Sequence, residues 1–164
     1  MGVRTATPGP EWDERPRRFT PRGGVAFGLG LIVLVVLLVN GRPIPAGDTR
    51  PSERVAASLV EQRNFDLDEY PEVEPPFARE VGGHRLSIYP VLSAVLAAPV
   101  FAVARAFFQL DELGLSLAGK LAASLFSALA AAILFLAMGR RHGEHDAFVP
   151  ALLFALGSSV WSTS

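Results

Sequence analysis

The chain has 164 residues, 50% of them hydrophobic and only 19% charged, with a formal net charge of −1 and no cysteine. A soluble domain usually carries about 25% charge, the net charge gives no basic field for nucleic acid, and the lack of cysteine excludes disulfides, thiolate metal centres and a cysteine nucleophile. The apolar residues are grouped into blocks separated by charged stretches, which is the pattern of a membrane protein rather than of an oily globular core.

Residues 1–22 read as a disordered cytoplasmic tail. They hold Pro8, Pro10, Pro16 and Pro21, with a cluster of Arg15, Arg17, Arg18 and Arg22. Gly23 to Asn40 follows without a charge, and about 18 residues at 1.5 Å each reach about 27 Å, enough for a first transmembrane helix. The arginines before it put the N-terminus in the cytoplasm. A cleavable signal peptide is the rival reading. The long basic region and the poor cleavage stretch Ile44-Pro45-Ala46 favour an uncleaved anchor.

Residues 41–114 are then expected outside the cytoplasm. Val55, Ala56, Leu59 and Val60 share one helical face, and Glu53, Arg54, Glu61 and Arg63 the other, so an amphipathic helix is expected over 52–63. Pro51 in its first turn and Asn64 at its end suit the bounds, and such a helix can lie on a membrane surface. Phe65 to Phe77 reads as an irregular acidic loop held by Pro71, Pro75 and Pro76. Leu86 to Phe108 is apolar but contains Pro90, Pro99 and Arg105. It either spans or lies at the outer interface as a juxtamembrane helix. Only the second topology places Arg140 and Arg141 inside, and it is the one expected here. Leu115 to Gly139 is a strong transmembrane candidate, 140–146 a short cytoplasmic loop, and 147–164 the start of a further span. The expected fold is all-α, a polytopic membrane protein, read as the N-terminal fragment of a longer chain.

No P-loop, dinucleotide fingerprint, HExxH or GxSxG is present in the sequence. The polar candidates gather between the first two apolar blocks: Asp48, Arg50, Asp66, Asp68, His84, Arg85, Ser87 and Tyr89. Asp48 suits a helix N-terminus, where a cap contributes about 1 kcal/mol, and that role also holds a carboxylate rigidly. Asp66 and Asp68 form a D-x-D that an exposed acidic loop explains. His84 and Arg85 beside Gly82-Gly83 have the chemistry to bind an anionic head group, or form a solvated flank. His142, Glu144, His145 and Asp146 read as a polar loop, and Lys120 as a snorkelling residue; no metal site or cofactor is expected.

The order of features resembles one family. A basic tail and first span lead to an outer loop with "GDT", then an amphipathic helix, "FDLDE", a glycine-rich turn and "SIYPVLSAVLAAPVFAVA". An alanine-rich helix ending "GRR" and "ALLFALGSSVWSTS" complete it. This is similar to the N-terminal part of bacterial GT-C superfamily membrane glycosyltransferases, of the protein-mannosyltransferase and aminoarabinose-transferase type (family 39 and relatives). The resemblance implies a GT-C helical bundle with juxtamembrane helices in the first outer loop, set in the bacterial plasma membrane. It implies sugar transfer from a polyprenyl-phosphate donor to an acceptor at the extracytoplasmic face, with membrane lipids around it and no nucleic-acid partner. Asp48 matches the acidic residue that serves the acceptor, and Tyr89-Pro90 the entry to a juxtamembrane helix. Relatives often carry a second proline and a basic residue there, where this chain has Pro90-Val91, so Arg85 is the substitute phosphate ligand, with Arg50, His84 and Tyr89 as further substrate contacts. This fragment alone is expected to be inactive. The alternative is a non-enzymatic membrane protein or transporter fragment whose outer loop is structural or binds a partner.

Overall fold

The computed structural model describes residues 23–39 and 49–157. Five helices and one hairpin follow in order: α1 (Gly23–Val39), α2 (Arg50–Glu61), β1 (Ala78–Val81), β2 (His84–Ser87), α3 (Val91–Phe107), α4 (Glu112–His142) and α5 (Glu144–Leu156). The chain is mostly helical, as expected. The readings of a disordered tail at 1–22 and of Asp48 as a held carboxylate lie outside the described residues.

α4 organises the rest. Its 31 residues give a rod about 46 Å long. Its start is built for a helix, since the Asp111 side chain accepts from the Gly114 N–H at 2.8 Å and so caps one free donor. Along this rod lie two separate apolar clusters. Near its start, Leu115 and Ala118 pack with Val55, Ala56 and Ala57 of α2, Phe101 and Ala104 of α3, and Leu67 and Val73 of the acidic loop. Further along, Ala128, Ala131 and Phe135 pack with Ala26, Leu29, Val33 and Leu37 of α1 and with Ala147, Ala151 and Ala155 of α5.

The second cluster uses only one face of each helix. The buried residues of α1 recur at spacings of three and four, the period of a helix stripe, yet Phe27, Leu31, Ile32 and Val35 on its remaining surface are exposed. The same holds for Leu129 and Ile133 of α4 and for Val149 and Leu153 of α5. An exposed apolar surface of this extent marks a lipid or protein contact rather than a water-facing wall. Among the described residues, α4 is the one helix both long and apolar enough to cross a membrane; α1 and α3 are apolar but shorter.

Three local expectations are corrected. The helix expected over 52–63 runs from Arg50 to Glu61, because Arg63 takes φ 62, a left-handed conformation that ends a helix. The helix expected over 86–108 begins only at Val91, since Pro90 disfavours helical backbone in the residue before it and Leu86 and Ser87 belong to β2. The loop expected over 140–146 shrinks to Gly143, whose φ of 97 reverses the chain in one step.

The hairpin was not foreseen. Gly82 and Gly83 have φ of 63 and 88 and join Val81 to its partner His84. Positive φ at both central residues is what a two-residue hairpin turn requires. Leu67 N–H donates to the Arg85 carbonyl at 2.7 Å, so the acidic loop is stitched to the outer side of β2.

Candidate functional site

Apart from the charged α4–α5 junction, the polar candidates among the described residues gather around α2, the acidic loop and the hairpin. The centre of this layer is Arg54. It falls on the helix face expected to be polar and exposed, yet is only 1% exposed, a correction with a clear cause. Its Nε donates to Glu72 at 2.9 Å and its Nη2 to Glu112 at 2.6 Å, while its guanidinium sits 5.4 Å from the Tyr70 ring centre. Burial works against the charge, but the bonds from Glu112 and Glu72 outweigh it and hold the guanidinium above its ordinary pKa. Three segments far apart in sequence are thereby tied to one side chain.

Glu53, next in the chain, has the opposite character. It stands in the first turn of α2, with its N–H donating to the Thr49 carbonyl at 3.2 Å, and its carboxyl lies against Gly119 of α4. A Cβ built on Gly119 would fall 2.5 Å from Glu53 Oε1, so the glycine makes the room. Oε2 is buried without a hydrogen-bond partner. Burial pushes this carboxyl up to about 7; Arg54 and then Arg50 oppose the shift, and Glu112 adds to it.

The residues singled out on the hairpin do come together. His84 Nδ1 lies 2.7 Å from Asp68 Oδ2 and 4.0 Å from Asp66 Oδ2. Asp68 also accepts from the Arg85 N–H at 2.7 Å, and its carbonyl accepts from the Arg85 guanidinium at 3.0 Å. The Arg85 N–H, then His84, hold the Asp68 carboxyl below its ordinary pKa, and Asp68 raises that of His84. Asp66, Asp68 and His84 offer three ligand atoms within 4.8 Å of one another, a donor set that suits a borderline divalent metal. The group is nonetheless accounted for by its own bonds, because His84 and Arg85 are both spent on Asp68.

Arg50 and Tyr89 have no bond to this group among the described residues. Arg50 is exposed at the start of α2, and the Tyr89 N–H donates to Ser87 Oγ at 3.1 Å. Arg54, Glu72, Glu112 and the seat of Glu53 went unread in the sequence. The one available signal was Gly119, an isolated glycine inside a helical pattern, which often marks close packing. Compared with known protein families, with curated proteins and with solved structures, the chain matches none.

Proposed function

We propose that this chain belongs to a polytopic plasma-membrane glycosyltransferase that moves a sugar from a polyprenyl-phosphate donor to an acceptor at the extracytoplasmic face. The observation that carries this reading is the segregation along α4. Near its start the charged side chains of α2 and the acidic loop converge beside the hairpin, with the apolar helix α3 packed against α2, while its later turns pack with helices that leave apolar faces exposed. A lipid-linked donor needs such a boundary, because its hydrocarbon stays in the bilayer while its phosphate and sugar lie in the polar layer. The order of motifs in the sequence supports the same reading.

In this mechanism the Asp48 carboxylate takes the proton of the acceptor hydroxyl as its oxygen attacks the anomeric carbon. The bond from that carbon to the phosphate oxygen breaks, and the polyprenyl phosphate leaves with the electron pair. Cations must meet that developing charge. Arg50, two residues after Asp48 and exposed at the head of α2, is better available for this than His84 and Arg85, which hold Asp68. The test is transfer from a polyprenyl-phosphate hexose in membranes carrying the whole protein. Asp48→Asn is expected to lower the rate at least 100-fold, the scale of general-base loss, with insertion unchanged. Full activity in that variant overturns the proposal and favours a structural or partner-binding outer layer.

A further inference from the structure

The seat of Glu53 is shaped for a carboxyl and supplies no partner for one of its oxygens. Gly119 stands in the interior of α4, where glycine costs about 1 kcal/mol relative to alanine, and its missing side chain is what lets Glu53 lie on the α4 backbone. Glu53 Oε2 is buried there with no hydrogen bond. A neutral carboxyl tolerates such a place far better than a carboxylate does.

The charges around it do not reverse this. On α2 itself they are Arg50 and Arg54, and on α4 Glu112. The Arg54 guanidinium spends Nε on Glu72 of the acidic loop and Nη2 on Glu112, and its buried Nη1 makes no hydrogen bond to Glu53. α3 and β2 also pack on α2, but the one charge of α3, Arg105, reaches the Val60 carbonyl and Glu61 at the other end of that helix, and His84 and Arg85 of β2 are held by Asp68.

We propose that Glu53 is a proton-operated latch between α2 and α4. In its neutral form it seats against Gly119 and fixes the first turn of α2, the turn that directly follows Asp48 in the chain; ionisation loosens that turn. The latch does not depend on the chemistry proposed for Asp48 and can be tested without a substrate.

Its direction follows from linkage. The seated carboxyl holds its proton up to about pH 7, whereas a free one loses it near 4.5. The contribution of the latch is therefore complete below about 4.5, falls as pH rises, and is gone just above 7.

Hydrogen exchange of the full chain in detergent micelles, corrected for the intrinsic pH dependence of exchange, reads this directly. For amides of residues 53–57, the first of α2 with helical hydrogen bonds, opening should increase by up to about tenfold per pH unit between pH 5 and 7 and then level off. Glu53→Gln keeps the shape without the titration, so its profile should be flat. A shared profile for wild type and Glu53→Gln overturns the latch. Gly119→Ala gives a test without altering residue 53. Its methyl occupies the seat, so protection at pH 5 should fall and the pH dependence should vanish; an unaltered pH dependence in this variant also overturns the proposal.

Discussion

Arg54 of α2 and Glu112 at the start of α4 are 58 residues apart in sequence and joined by a 2.6 Å charge-assisted bond. The same guanidinium holds Glu72, so one side chain fastens the acidic loop and α2 to the head of the long helix. Arg54→Met keeps much of the apolar stem and removes both bonds. It is expected to destabilise the polar layer by about 1.5–3 kcal/mol, the range for hydrogen bonds to charged groups. The loss stays below that of a wholly buried pair, because Glu72 and Glu112 are 38% and 68% exposed and regain water. Lysine should not restore stability, since a single ammonium does not reproduce the planar fork. Denaturant unfolding followed by amide exchange at residues 53–61 checks both variants; restoration by Arg54→Lys would contradict this account.

The hairpin turn gives a second prediction. Valine at Gly83 must adopt φ 88, which a β-branched residue resists by about 1–2 kcal/mol. Gly83→Val should therefore misalign His84 from Asp68, whereas Gly83→Asn should keep the turn, since asparagine tolerates such backbone. NMR of the His84 imidazole distinguishes the two: the raised pKa should be lost in the valine variant and kept in the asparagine variant.

The same ion pair sets a pH window. His84 is raised above its ordinary 6.5 by the bond to Asp68, so its contribution is complete below 6.5 and is lost as pH rises through the folded value. Asp68 is lowered from 3.8, first by the Arg85 N–H and then by His84, so its contribution is present above 3.8 and is lost as pH falls through its own folded value. The pairing is strongest between those limits. In Asp68→Asn the His84 titration should fall back towards 6.5; an unchanged titration would show that Asp68 is not the cause.

These contacts explain why the helices were more legible than the polar layer. Gly23 to Asn40 carries no charge, so α1 is readable as an apolar run within one window of sequence, although nothing in that run tells that Ala26, Leu29, Val33 and Leu37 are the residues that become buried. Arg54 reads as a polar-face residue because it shares that face with Glu53 and Glu61, and nothing local announces partners 18 and 58 residues away. Gly82-Gly83 was a readable hairpin signal between Val81 and His84, but the charged residues on both sides hid the short strands. Asp66, Asp68, His84 and Arg85 were legible as chemistry, and only the fold shows that they satisfy one another.

The last prediction concerns the contact between α4 and α5, where two substitutions at facing positions should have opposite signs. Ala147, Ala151 and Ala155 are fully buried and four residues apart, so α5 presents a smooth small-residue edge that allows close approach. Ala151→Leu forces extra methyl groups into that contact and should destabilise by about 1–3 kcal/mol. On the α4 side, a Cβ at Gly139 would lie 3.9 Å from the Ala147 Cβ, an ordinary contact. Gly139→Ala therefore adds no clash, removes the weak helix propensity of glycine, and should stabilise by up to about 1 kcal/mol. Thermal unfolding in micelles, followed by helical circular dichroism, should show a lower midpoint for Ala151→Leu and an equal or higher one for Gly139→Ala. A lowered midpoint in Gly139→Ala would mean that α4 and α5 approach more closely than this packing allows.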